Sequence, residues 1–324
     1  MNVKENNNLL NYVNLNNLQI ITITGPDSKI FLQNQLTIDI NQLDNKIHFF
    51  NAFHCNSQGK VLTNMHIYKI CNNTYQYIIR KNILKKYLKN IKKYILLYKI
   101  TIFLDKKKKI FGILNVKKIQ IISKIFKKNN ISFKEETLHF FNEDILLKFK
   151  YSKNYYFIIL SQKNIYCIIK KFFLSKIIYL QNNNFWDKFY MKIGYYIIDI
   201  DHHCNLFLPQ QFIFNKMNAI DFNKGCYLGQ EIISSLKFKN KINQKLFLLK
   251  GQLKTIPLYN DLLEFKNDKD EKWRIIRNRI ILKILRIKSN VFLIQVILKG
   301  NFIKKSLIRF KKDKNSIFFI IKVF

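Results

Sequence analysis

The chain has 324 residues, with 57 Lys+Arg against 20 Asp+Glu and a formal net charge of +37. Its 48% apolar content is enough to bury a real core, which excludes collagenous, disulfide-scaffold and disordered classes. Lys and Asn break every apolar run short of the roughly 18 residues that a membrane helix needs, and residues 1–10 carry no apolar secretory signal; a cytoplasmic location is expected.

Residues 1–17 are rich in Asn and read as a loosely ordered tail. Leu18–Thr24, rich in Ile and Thr, reads as a strand. Gly25-Pro26 turns the chain, and Asp27 is placed to cap a helix running from Ser28 to about Leu36, with Ile30, Phe31 and Gln35 toward one side. Strand-like runs follow at His48–Phe53, Lys60–Ile70 and Thr74–Arg80. Residues 83–97 have apolar residues at helical spacing (Leu84, Tyr87, Leu88, Ile91, Tyr94, Ile95) with Lys elsewhere, which predicts an amphipathic helix. Strands are expected over 100–116 and Ile145–Leu160, and helices over Val116–Lys128 and Lys163–Leu180. Past residue 243 only strand patterns remain: Lys245–Gly251, Trp273–Arg286, Asn290–Leu298 and Ser316–Val323. The class is α+β, with a tail over 1–17, an α+β region over 18–242 and a small all-β domain over 243–324.

The charge is almost all lysine. The arginines are Arg80, Arg274, Arg277, Arg279, Arg286 and Arg309, and the alanines are Ala52 and Ala219. Abundant Lys, Asn, Ile, Phe and Tyr beside scarce Ala, Gly and Pro match AT-rich codons, so compositional drift accounts for much of the charge. A basic tRNA-binding module remains one reading of it, with salt-dependent attraction to polyanions. Arg274, Arg277, Arg279 and Arg286 form the one arginine cluster and are candidate contacts to RNA phosphates. Cys55, Cys71, Cys167, Cys204 and Cys226 are odd in number and lack a CxxC pair, which fits a reducing compartment and gives no metal framework. His202-His203-Cys204 reads as a loop before Pro209 rather than a metal site, and no Gly-rich phosphate loop occurs.

The most informative stretch runs from Asp221 to Glu231: Asp-Phe-Asn-Lys-Gly-Cys-Tyr-Leu-Gly-Gln-Glu. A turn over Asn223–Gly225 and a helix from Gln230 would put Cys226 near a helix N-terminus, where backbone N–H groups favour a thiolate. Lys224 would add charge beside it, and Gly225 and Gly229 allow unusual backbone angles or close approach. The alternative from spacing alone is a buried structural cysteine beside turn glycines.

Lys-Gly-Cys-Tyr-x-Gly-Gln-Glu resembles the signature of the YgfZ-type folate-binding, tRNA-modifying proteins, members of the glycine-cleavage T-protein superfamily. The similarity extends to Ile23–Ser28 with Leu32–Asp39, to Cys55–Lys60, to Phe207–Gln210, to Lys237-Phe238-Lys239 after the motif and to Trp273-Arg274, so it covers about 18 to 310. The resemblance implies a T-protein-like three-lobed ring of two α+β lobes and a C-terminal β-barrel, with folate, as tetrahydrofolate, in the central opening. It implies an accessory role in tRNA methylthiolation through iron–sulfur enzymes or cluster-assembly proteins, in the cytoplasm and as a monomer, with tRNA a further partner. Cys226 is then the functional thiol, flanked by Lys224 and Tyr227, within a motif that includes Gly225, Gly229, Gln230, Glu231 and Lys237. Trp186 falls on a family tryptophan that contacts folate; Leu18 stands where the family has a second. An aminomethyltransferase activity is the alternative that the superfamily implies.

Overall fold

The computed structural model describes residues 10–44, 48–116, 137–151, 154–163, 178–211, 219–238, 244–267, 272–300, 302 and 305–324. Three sheets carry the architecture. The first is fully antiparallel and is built from β2 (Leu18–Thr24), β3 (Phe49–Cys55), β4 (Val61–Cys71), β5 (Thr74–Arg80) and β6 (Thr101–Asp105), in the order β3-β4-β5-β2-β6. The second contains β1 (Leu10–Asn14), β7 (Lys109–Val116), β8 (Thr137–Phe141), β9 (Asp144–Tyr151), β10 (Asn154–Ser161) and β11 (Ile178–Gln181), in the order β11-β1-β7-β10-β9-β8. The third holds β12 (Gln244–Gln252), β13 (Leu263–Lys266), β14 (Arg274–Ile276), β15 (Arg279–Arg286), β16 (Val291–Lys299), β17 (Leu307–Phe310) and β18 (Asp313–Val323), in the order β14-β13-β17-β18-β12-β16-β15. The α-helices among the described residues are α1 (Ser28–Gln35), α2 (Leu84–Ile95), α3 (Asn183–Ile193) and α4 (Gln230–Phe238).

This is a T-protein-like α+β fold, as its sheets and the likeness reported below establish together. Two expectations change. Residues 10–14, placed in a loose tail, form β1, which runs parallel to β11 and antiparallel to β7. Tyr12 and Val13 are buried there, so apolar burial fixes a segment that its asparagines mark as loop. The C-terminal domain curls around its own core but does not close as a barrel: its outer strands β14 and β15 are not paired with each other, and β14 spans only three residues. The predicted helix at Val116–Lys128 lies almost entirely outside the described residues, and so does most of that at Lys163–Leu180, whose last three residues belong to β11.

One core joins the first two sheets and takes in Leu246, Leu282 and Ile297 of the third, which also has its own cluster around Phe247, Leu249, Ile294 and Phe318. α1 buries Ser28, Phe31, Leu32 and Gln35, the i, i+3, i+4, i+7 face. Ile30, expected on that side, is exposed instead. Asp27 does not cap α1 through its side chain; its carboxylate accepts from the Lys99 backbone N–H at 2.7 Å and ties the helix to the segment after α2. Among the described residues no helix is long and apolar enough to cross a membrane.

Candidate functional site

The Cys226 motif is a strap across the C-terminal end of α1. A helix leaves its last carbonyls without intrahelical partners. Here Lys224 supplies one answer from nearly two hundred residues away. Its Nζ donates to Gln33 O at 2.6 Å, to Leu36 O at 2.8 Å and to Ile38 O at 2.7 Å. A cation at this end also complements the helix dipole. Lys224 is buried, and desolvation pushes its ammonium down to about 8, against the pull of Asp39 and Asp221. All three of its donors are used, so its charge faces inward and serves the fold rather than standing beside the thiol.

The rest of the strap is held as firmly. The Asp221 N–H donates to Thr37 O at 2.8 Å, its carboxylate accepts from Gln42 at 2.9 Å, and the Leu228 N–H donates to Asn34 O at 3.0 Å. Tyr227 is buried with its ring 5.0 Å from Lys224 Nζ, and burial holds its phenol well above the ordinary range. The Tyr227 N–H donates to Gln230 Oε1 at 3.3 Å while the Gln230 N–H donates to Tyr227 O at 3.0 Å. These two bonds close the turn over Tyr227–Gln230 that leads into α4. Glu231 sits in the first turn, where a carboxylate suits the dipole. Lys237, in the last turn, places Nζ 3.8 Å from the centroid of the Phe222 ring.

Gly229 is required by sterics. Its φ is +83°, and a Cβ there would stand 2.4 Å from Asn56 O and 2.8 Å from Gly59 Cα. The motif backbone thus lies directly on the turn that joins β3 to β4, where Gly59 also has a positive φ of +68°. Gly225 differs: a Cβ there would meet nothing within 4 Å. Gly225 and Cys226 are exposed between the buried Lys224 and Tyr227.

Cys226 lies in the connection just ahead of α4, as the sequence suggests, and outside the helix itself. Gln230 begins α4 four residues later, with Tyr227–Gly229 between. The other described cysteines divide sharply. Cys71 is exposed. Cys55 and Cys204 are buried, and desolvation raises the Cys55 thiol far beyond the ordinary range and the Cys204 thiol up to about 11, making both inert. His203 is also internal: it bonds the Tyr196 hydroxyl at 2.6 Å, and burial pushes it down to about 4. No group of three or more metal-binding side chains occurs among the described residues.

Trp186 lies elsewhere, on α3, and only 1% of it is exposed. The rings of Tyr156, Phe189 and Tyr190 surround it at centroid distances of 6.1, 6.0 and 5.3 Å. Gly112 of β7 lies so close that a Cβ there would stand 2.3 Å from the indole. The indole therefore presents no open face for a planar ligand to stack on. Among the described residues no hydrogen bond joins the motif to Trp186, although Tyr227 and Trp186 belong to the same hydrophobic core.

Beside Trp186 is a group that sequence reasoning missed. Arg80 bonds Asp187 at 2.5 Å, and Lys283 bridges Asp187 at 3.0 Å and Asp199 at 2.7 Å, linking β5, α3 and β15. Burial opposes ionisation of Asp187, but Arg80 and Lys283 overcome it and hold the carboxyl below its usual range. Nearby, His66 lies within 3.4 Å of the Tyr190 and Tyr195 hydroxyls, and Gln295 donates to Tyr195 O. Asn51 Oδ1, His66 Nδ1, Gln295 Oε1 and Arg80 Nε and Nη1 have no hydrogen-bond partner among the described residues. The one available signal was Arg80 itself, an arginine kept at the end of an apolar strand in a lysine-rich chain. Two of the four predicted cluster arginines are turned on the chain: Arg279 donates to Asn260 O and Asp261 O, and Arg286 donates to Ser289 O, while Arg274 and Arg277 are exposed.

No family model matches the chain. It is 30% identical over 310 residues to the tRNA-modifying protein YgfZ of Buchnera aphidicola subsp. Baizongia pistaciae, covering 94% of this chain and 93% of that one. It is 26% identical over 308 residues to the protein of the same name from Escherichia coli O127:H6, covering 95% and 91%. Among solved structures it resembles glycine cleavage system aminomethyltransferase T from Bartonella henselae, with a TM-score of 0.71 over 96% of this chain and 84% of that one, at 9% identity. The last likeness is one of fold, whereas the first spans nearly the whole of both chains, and by it this chain belongs to the YgfZ family of tRNA-modifying proteins.

Proposed function

We propose that this chain is a cytoplasmic, folate-binding accessory protein of tRNA modification that acts through the Cys226 thiol. It would support methylthiolation by assisting iron–sulfur enzymes or the proteins that assemble their clusters. The observation that carries the reading is the division of the motif. Lys224, Tyr227 and Gly229 are consumed in holding the strap, and what they hold out is Cys226 beside an unobstructed Gly225. A buried structural cysteine would need neither the exposure nor the open approach.

The folate part rests on the T-protein-like fold and on the polar groups near Trp186. A pterin offers amide and amine groups along one edge. The unpaired Arg80 donors and the unpaired atoms of Asn51, Gln295 and the His66 ring fit that chemistry. These residues would hold the ring, and Trp186 would back the cluster rather than stack on the ligand. Tetrahydrofolate supplies a one-carbon carrier when bound. The chain's own residues would orient and desolvate it.

The test is complementation. A bacterium lacking its own homologue receives this chain, Cys226→Ala or Trp186→Ala, and methylthio-modified tRNA is measured. Restoration by the unaltered chain but not by Cys226→Ala is the expected result. Equal restoration by both would remove the thiol role. Loss with soluble Trp186→Ala would support a working folate cluster.

A further inference from the structure

We infer that the lysine face of α2 is a docking surface for the phosphate backbone of RNA. The inference deepens the proposed function and rests on it only for the kind of polyanion; the positive face itself follows from the structure.

No Asp or Glu occurs between Asp44 and Asp105. Within this acid-free stretch, α2 buries Tyr87 and Ile91 against the protein. Lys85, Lys89, Lys92 and Lys93 are exposed on the other side. At 100° per residue these four fall within an arc of about 100°, along about 12 Å of helix. None of them forms an ion pair among the described residues; Lys93 lies over the ring of its neighbour Tyr94. Near the ends of the helix, the carboxylates of Asp199 and Asp27 are engaged, and Asp201 is exposed. Asp199 is held by Lys283 and Asn82, the Asp201 carbonyl accepts from Lys86, and the Asp27 carboxylate accepts from the Lys99 backbone.

Lysine binds phosphate as a point charge without reading bases, so the face suits backbone contact to a folded RNA of any sequence. Half of the arginine cluster lacks this freedom, because Arg279 and Arg286 are bound to backbone carbonyls. Position adds to the case. Tyr98, just after α2, packs its ring at 5.3 Å from Phe31 and bonds Asn34 at 3.2 Å, and the Asn34 carbonyl holds the N–H of Leu228 in the Cys226 strap. An RNA docked along α2 would reach toward the exposed thiol.

The competing account is diffuse charge, in which any lysines serve equally. It is tested by two quadruple variants of the full chain, each losing four charges: Lys85, Lys89, Lys92 and Lys93 to Gln, and the exposed C-terminal-sheet lysines Lys250, Lys254, Lys311 and Lys314 to Gln. Binding of unfractionated tRNA is measured across a salt series, with helicity checked by circular dichroism. The α2 variant is expected to lose about tenfold or more in affinity near 0.1 M salt, and its salt slope to fall by about 3 to 4. The second variant should change little, and the four α2 lysines replaced by Arg should retain binding. Equal losses in both Gln variants, or no loss in the α2 variant, would overturn the inference. Cys226→Ser, which breaks the proposed function, should leave tRNA binding intact, so the two ideas fail separately.

Discussion

The Cys226 strap and the Trp186 cluster contain the two residues that sequence singles out most clearly, and the fold treats them in opposite ways. At the strap, Lys224 and Tyr227 are buried, Lys224 with all three of its donors used, while Cys226 is left outside. Around Trp186 the singled-out residue is itself enclosed by Gly112 and three aromatic rings, and unpaired polar atoms gather next to it. The first site leaves its thiol open to the outside. The second is built for stability and could admit a ligand only among its polar groups. A motif residue is therefore no guide to chemistry until its burial is known.

The largest effect expected is acidic and touches both regions. Burial holds His54, behind the strap, at about 4 and His66, beside the cluster, at about 3. Unfolded histidine takes a proton near 6.5. Between about pH 6.5 and 4 the unfolded chain therefore binds more protons, and stability present above 6.5 is lost as the pH falls. Together the two should cost on the order of 5 kcal/mol between pH 7 and 4.5. Urea unfolding at both values measures this, and His66→Phe should flatten the dependence by the share of the closed cluster.

Next comes Trp186→Ala, which empties a packed aromatic site and should destabilise by about 3–5 kcal/mol. A loss below about 1 kcal/mol would mean that the indole is not packed as described. Lys224→Met strands three carbonyls, two of them in buried bonds, and should cost about 2–3 kcal/mol, read by the same unfolding experiment. It should lower tRNA modification only as far as it loosens the strap. Smallest is Gly225→Ala, which has open space and should change stability by less than about 0.5 kcal/mol. If it nevertheless lowers methylthio-tRNA in the complementation assay, approach to Cys226 is what the glycine protects.

Much of this contrast was hidden from the sequence. The Cys motif was legible as a motif, and the helical period marked α2 and the inner face of α1. Lys224 stands two positions before Cys226, and that closeness along the chain suggests a neighbour of the thiol. Its true partners are the carbonyls of residues 33, 36 and 38, and contacts at that separation leave no local pattern. β1 was missed for the same reason, since its partner β11 is far along the chain and its asparagines mimic a loop. The open edge of the C-terminal sheet follows from the shortness of β14 rather than from strand spacing. Trp186 shows the converse: its identity suggested a stacking surface, and only the proximity of Gly112 reveals that the surface is covered.

The most direct test of the central claim, an exposed thiol on a locked strap, is site-resolved alkylation of the native chain followed by mass spectrometry. The account predicts rapid modification at Cys226 and Cys71, with Cys55 and Cys204 protected until the protein unfolds. Protection of Cys226 to the level of Cys55 would contradict it.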